Sequence, residues 1–160
     1  MIVVADAGPL NYLLLIGAAN VLEALYTRVL MPDAVVAELQ DPGAPAVVRT
    51  WIAEPPEWCE IRSDPSPDPA LQHLGPGERA AIALALSLNV ARLLIDERAG
   101  RVEAERRSLT VTGTLGVLAE AHAQHLLDFD AALARLRQTN FYLSAAVLDS
   151  VHRRLFTGRR

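Results

Sequence analysis

The chain has 160 residues and a mass of 17.3 kDa, is 51% apolar and 21% charged, and carries a formal net charge of −4. These values describe one compact domain, 1–160, able to bury a core of its own. All 15 basic residues are arginine, which excludes a Walker A phosphate loop and any enzyme that needs a lysine amine as nucleophile. The single cysteine, Cys59, excludes an internal disulfide framework and every multi-cysteine zinc cluster, and suits a reducing cytoplasm.

No membrane span is expected. The most apolar early stretch, Pro9 to Tyr26, is interrupted by Asn11, Asn20 and Glu23 and falls short of the roughly 20 apolar residues a spanning helix requires. A signal peptide is not expected either: no basic residue precedes Arg28, and Asp6 interrupts the first apolar run. Charge is unevenly placed. Residues 1–80 hold 4 Arg against 11 acids, net −7, whereas residues 81–160 hold 11 Arg against 8 acids, net +3. An acidic chain is poorly suited to tight, sequence-independent nucleic-acid binding, but a local rim of arginines suits phosphate, which the guanidinium fork grips with two parallel hydrogen bonds.

Ile2 to Ala5 is a continuous apolar run that predicts a strand buried on both faces, ending at Asp6. Gly8-Pro9 punctuates, Leu10 to Ile16 reads as a helix stopped at Gly17, and Ala19 to Tyr26 as a second helix. Arg28 to Met31 predicts a strand stopped by Pro32, and Asp33 caps or opens a helix from Ala34 to Gln40 that contains Glu38. After the Asp41-Pro42-Gly43 break come a helix from Ala44 to Ala53, an edge strand from Trp58 to Arg62, and a surface loop from Ser63 to Pro69.

Gly75-Pro76-Gly77-Glu78 launches an alanine-rich helix to about Asn89, followed by a strand from Arg92 to Ile95 that ends at Asp96. Charges from Glu97 to Arg107 recur at helical spacing. Leu109 to Thr112 predicts another strand, and Thr114 begins a helix to about His125. Asp130 is placed as the cap of a helix to Gln138. Ser144 caps a last helix, about 144–156, whose Leu148, Val151 and Leu155 form an apolar stripe that either packs internally or pairs two subunits. Strands alternating with helices predict an α/β fold, a three-layer α/β/α sandwich around a mainly parallel sheet of four or five strands.

In such sheets the functional crevice lies beyond the carboxyl ends of the strands. Asp6 and Asp96 stand there, Glu78 opens the helix that leads to Asp96, and Glu38 lies in an apolar helix. Isolated buried carboxylates are costly, so these four are bonded, paired or gathered around a cation. An oxygen-only set suits Mg²⁺ or Mn²⁺, and such a cluster is a usual phosphodiester-hydrolysis site. The structural alternative makes Asp6 a helix cap, Glu78 a partner of a helix dipole and Glu38 a solvent-facing acid.

The segments 1–10, 31–39, 75–85 and 93–101, which carry Asp6, Glu38, Glu78 and Asp96 in order, resemble the four acidic motifs of the PIN-domain family. Val111-Thr112-Gly113-Thr114-Leu115-Gly116 resembles a subgroup of small prokaryotic members similar to VapC toxins. The likeness runs from residue 1 to about 150. It implies a PIN-like fold and a Mg²⁺- or Mn²⁺-dependent endoribonuclease, the toxin of a type II toxin–antitoxin pair, with an RNA substrate, a cognate antitoxin and a homodimeric state. Asp6, Glu38, Glu78 and Asp96 would then be both catalytic and metal-binding. The chain departs from the family pattern at Ala7, where a Ser or Thr is common, and at Glu78, where Asp is common, while Glu97 competes with Asp96 for the fourth place. A PIN-like binding module, weak or silent in catalysis, is the alternative from another functional class.

Further candidates are less specific. Glu97, Thr112 and Thr114 are candidates to support the site or bind phosphate, Thr114 being equally a helix cap. Arg79, Arg98 and Arg101, with Arg106 and Arg107, are candidates for an RNA path, or for a solvated face paired with Glu103 and Glu105. Arg153, Arg154, Arg159 and Arg160 suit RNA, an acidic partner or a solvated end. His122 and His125 read as a surface pair and Cys59 as a packing residue. The few aromatics argue against a base-stacking platform. An aspartate-nucleophile phosphatase is a poor reading: Gly8 stands where the Asp-x-Asp motif needs its second acid, and no lysine supplies the usual neutralising ammonium.

Overall fold

The computed structural model describes residues 1–156; Arg159 and Arg160 lie outside them. Five strands, β1 (Ile2–Ala5), β2 (Arg28–Pro32), β3 (Cys59–Arg62), β4 (Arg92–Leu94) and β5 (Thr110–Thr112), form one parallel sheet in the order β3-β2-β1-β4-β5. Among the described residues nine α-helices accompany them: α1 (Ala7–Leu15), α2 (Val21–Leu25), α3 (Asp33–Leu39), α4 (Ala46–Ala53), α5 (Pro76–Ser87), α6 (Arg98–Arg106), α7 (Thr114–Ala123), α8 (Phe129–Leu136) and α9 (Ala145–Phe156). The expected parallel α/β architecture is observed with its strands in place.

Strands without apolar alternation pack on both faces, and here Val3, Val4, Ala5, Leu93 and Leu94 are all fully buried. β1 is the axis of the sheet. It pairs with β2 through Val3 opposite Val29 and with β4 through Val4 opposite Leu93. The chain leaves β1 toward β2 on one side and returns from β3 to β4 on the other, so the strand order reverses between β1 and β4, where a crevice must open.

Several expectations are corrected. α1 begins at Ala7 rather than Leu10, and Gly8 and Pro9 lie in its first turn, where the amide that proline lacks would have no helical partner. α2 spans only Val21–Leu25, since Tyr26 is already extended. Of the two roles open to Asp33 the structure has the second: it opens α3, which thus starts at Asp33 rather than Ala34, with Pro32 at the cap position. The cap of α8 is Asp128, whose carboxylate accepts from the Ala131 amide at 2.9 Å; Asp130 sits inside the first turn and bonds His152. At the end of the loop 63–69 the chain tightens into a 3₁₀ turn at Pro69–Leu71, capped by Asp68.

The last helix is observed, with Ser144 accepting from the Val147 amide at 3.4 Å. Val151 and Leu155 are buried and Leu148 packs on the core, so its stripe packs within the chain. The His pair is likewise corrected. His122 Nδ1 accepts from the Phe129 amide at 2.9 Å and its ring meets Phe129 and Phe156, whereas His125 lies just beyond α7 with a φ of 61°. Cys59 packs as expected, its Sγ 3.5 Å from Met31 Sδ, and burial pushes its thiol up to about 12. None of the helices among the described residues is long and apolar enough to cross a membrane.

The corrected cap is testable by urea unfolding. Asp128→Ala is expected to cost about 1 kcal/mol, the usual worth of an N-cap. Asp130→Ala, which removes an exposed pair, is expected to cost less than about 0.5 kcal/mol. Equal costs would contradict the assignment.

Candidate active site

Asp6, Glu38, Glu78 and Asp96 line one cleft of about 1580 Å³ at the carboxyl edge of the sheet. β1 delivers Asp6 to the first position beyond the strand, where its amide continues the ladder to the Leu94 carbonyl at 2.9 Å. Asp96 follows β4 on the other side of the strand-order reversal. Glu78 lies in the first turn of α5 and Glu38 in the last turn of α3, which packs against α5.

Two of the acids are held by helix N-termini that belong to other elements. Glu38 Oε1 accepts from the Gly77 amide at 3.0 Å, at the start of α5. Asp96 is gripped twice, by the Thr114 amide and the Thr114 hydroxyl, both at 2.7 Å, at the start of α7. Unpaired amides at the positive end of a helix dipole orient both carboxylates.

The other two are not satisfied. Asp6 Oδ1 and Glu78 Oε2 are buried and have no hydrogen-bond partner. The capping role open to Asp6 is not realised, because its side chain makes no cap bond to α1. Burial pushes the Asp6 carboxyl up to about 7; the Ala7 amide pulls it down, and Glu38, Glu78 and Asp96 push it further up. Glu78 is raised by burial and then by Glu97 and Glu38. Asp96 is raised by burial, against the pull of Thr114 and Arg101. Orphaned buried oxygens among like charges are costly.

Glycines make the room for this crowding. A Cβ at Gly77 would collide with Glu38 Oε1 and stand 3.2 Å from Asp6 Oδ1; one at Gly113 would lie 2.8 Å from Asp96 Oδ1, and one at Gly100 2.9 Å from Glu78 Oε2. Among the described residues no three His, Cys, Asp or Glu side chains form a ready-made metal cage. The four acids line the cleft without closing it. Their chemistry still fits a hard divalent cation: oxygen donors only, two of them buried without a partner.

A family model described as a PIN domain matches residues 2–156. The chain belongs to the PIN-domain family. PIN domains are generally nucleases and typically use divalent metals. A solved structure, a PilT N-terminus domain protein, SSO1118, from the archaeon Sulfolobus solfataricus P2, is similar with a TM-score of 0.52 and 14% identity, covering 90% of this chain and 100% of that one. At that identity the likeness speaks for the fold alone. No curated protein matches the chain.

The remaining candidates divide. Arg98 and Arg101 line the PIN-domain cleft, and Glu97 stands at its rim as the cap residue of α6. Arg79 is not among the cleft-lining residues. Arg106 pairs with Glu103, and Arg107 with Asp68 and Glu103, so these two favour the ion-paired face. Thr114 is not the cap of α7, which is Gly113; its work is to hold Asp96. Thr112 lines the cleft, and its Cγ2 lies where a Cβ at Gly116 would come within 2.9 Å. Reading for acids alone missed Tyr12 and the segment Asn140–Tyr142, which also line the cleft. It also missed the glycine cradle, though a glycine inside a helix, as at Gly100, costs about 1 kcal/mol and is itself a signal of close approach.

Asp6 makes stability depend on pH. Its folded pKa lies above the unfolded value, so the native chain binds the extra proton, and stability falls as pH rises from about 4 to about 7. In EDTA, wild type is expected to lose stability over this window and Asp6→Asn to be more stable above pH 7, by on the order of 1 kcal/mol or more. Parallel pH profiles for the two proteins would contradict the buried, unpaired carboxyl.

Proposed function

We propose that this PIN domain is a Mg²⁺- or Mn²⁺-dependent endoribonuclease, with Asp6, Glu38, Glu78 and Asp96 as its catalytic and metal-binding residues. The observation that carries the reading is the pair of buried, partnerless oxygens, Asp6 Oδ1 and Glu78 Oε2, on the cleft that Glu38 and Asp96 also line. A bound divalent cation would supply Lewis-acid polarisation of a phosphate and acidification of water. The chain itself does the rest. Asp6 Oδ1 and Glu78 Oε2 offer lone pairs that no hydrogen bond uses, while the Gly77 amide holds Glu38 and Thr114 holds Asp96. Arg98 and Arg101 on the rim suit the backbone phosphates of an RNA strand.

The missing hydroxyl at Ala7 is answered at another position, since Thr114 Oγ1 already serves Asp96. Glu78 in place of an aspartate reaches from the first turn of α5, with Gly100 leaving space for its longer side chain. Both departures are therefore compatible with catalysis. Sequence likeness to VapC-type toxins favours a cytoplasmic toxin with a cognate antitoxin and a homodimeric state. In that setting α9, which packs on α7 and borders the cleft, is the helix to examine for association.

Calorimetric titration of Mn²⁺, run beside cleavage of a structured RNA with and without EDTA, tests the proposal. Wild type is expected to bind Mn²⁺ and cleave, and Asp6→Asn to lose both while remaining folded. Absence of Mn²⁺ binding in the folded wild type would overturn the reading. Thr114→Val, which removes the hydroxyl and leaves the amide, is expected to lower activity roughly 10- to 100-fold, the usual effect of losing a group that orients a metal ligand. Unchanged activity would show that the amide alone positions Asp96.

A further inference from the structure

Three of the eight aromatic residues meet at the cleft: Tyr12, Phe141 and Tyr142. Tyr12 projects from α1 into this cleft, where burial and then the nearby Asp96 carboxylate raise its phenol. The Tyr12 hydroxyl donates to Asn140 Oδ1 at 2.9 Å, and its ring meets Phe141 edge-on, at a centroid distance of 4.9 Å and 81° between planes. The segment 139–144 is fixed on both sides of these contacts. Thr139 Oγ1 accepts from the Phe141 amide at 3.1 Å and donates to the Leu136 carbonyl at 2.6 Å, and the Ser144 carbonyl accepts from the Leu148 amide at 2.9 Å.

Tyr142 follows directly on this anchored pair, lines the same cleft as the four acids, and is 85% exposed. A large ring left in water costs apolar hydration that burial would remove. Here it is carried on a strap pinned to α1, in a cleft whose rim also carries Arg98, Arg101 and Arg154. An aromatic face on the same cleft as arginines and as acids suited to a phosphodiester can receive an unpaired base while its phosphates meet the guanidinium groups.

We infer that Tyr142 is a stacking platform for an unpaired base of single-stranded RNA, held beside the acidic cleft by the contact of Tyr12 with Asn140 and Phe141. The inference rests on the ribonuclease reading and narrows its substrate to RNA that is single-stranded or looped at the bound site, because a base inside a duplex offers no free face. The sparse aromatic content argued against such a platform; the fold concentrates what there is at one place. Tyr142 is a binding residue. It acts on affinity and on the choice of strand rather than on the reacting phosphate.

The test is titration of the full chain into a single-stranded RNA oligonucleotide carrying one 2-aminopurine, in EDTA so that the RNA stays intact, with a fully paired RNA as comparison. Wild type and Tyr142→Phe are expected to bind the single strand and quench the fluorescent base. Tyr142→Ala is expected to lose affinity roughly 5- to 150-fold, the worth of one stacked base. Tyr142→Leu is expected to resemble Tyr142→Ala, and duplex affinity to be unchanged throughout. Equal binding by wild type and Tyr142→Ala, full rescue by leucine, or no binding by wild type each overturns the platform. Mn²⁺-dependent cleavage measured separately keeps the two claims apart. Cleavage with no Tyr142 effect leaves the nuclease reading standing alone, and quenching without cleavage leaves the platform standing alone.

Discussion

Like charges confined to a space from which the fold does not release them organise this molecule. A parallel sheet whose strand order reverses between β1 and β4 delivers Asp6 and Asp96 to the same edge, and α5 brings Glu78 to them while α3 brings Glu38. Burial and mutual repulsion then raise the Asp6 carboxyl to about 7. The cost is partly offset where helix N-termini donate to Glu38 and Asp96. It is not offset at Asp6 Oδ1 or Glu78 Oε2. A fold that leaves two buried oxygens unpaired among acids is less stable than it need be, and such a penalty persists where function uses it.

The two halves of the chain divide the work. Three of the four acids, Asp6, Glu38 and Glu78, come from the net-negative residues 1–80, and the rim arginines Arg98, Arg101 and Arg154 come from the net-positive residues 81–160. The fold brings both groups to the lining of one cleft. A net-negative chain can thereby present phosphate-binding groups locally without a basic surface overall.

Much of this is legible in the amino-acid sequence. Apolar runs without alternation predicted buried parallel strands, and Val3, Val4, Leu93 and Leu94 are such strands. The strand-end rule singled out Asp6 and Asp96, and the cleft contains both. What periodicity could not show was partnership across the sheet. Thr114 looked like a cap for its own helix, yet it holds an acid 18 residues earlier in the chain. Asp128 and Asp130 are both credible caps by residue type, and only backbone geometry at Asp128 decides between them. Gly8-Pro9 looked like a break because its neighbours in sequence were visible and the free amides of a first helical turn were not. Arg79 neighbours Glu78 in sequence, but adjacent helix positions face different directions, and the cleft includes only the acid. Tyr12, Asn140 and Phe141 meet across more than a hundred residues.

The central claim is that the partnerless oxygens of Asp6 and Glu78 belong to a cation site shared with Glu38 and Asp96. Diffraction from crystals grown with Mn²⁺, recorded at the manganese absorption edge, tests it most directly. The account predicts anomalous density in the cleft, coordinated by Asp6 and at least one other of the four carboxylates, and none in Asp6→Asn crystals. Crystals of wild type grown at saturating Mn²⁺ with no anomalous density in the cleft, or with density only at surface carboxylates elsewhere, would contradict it.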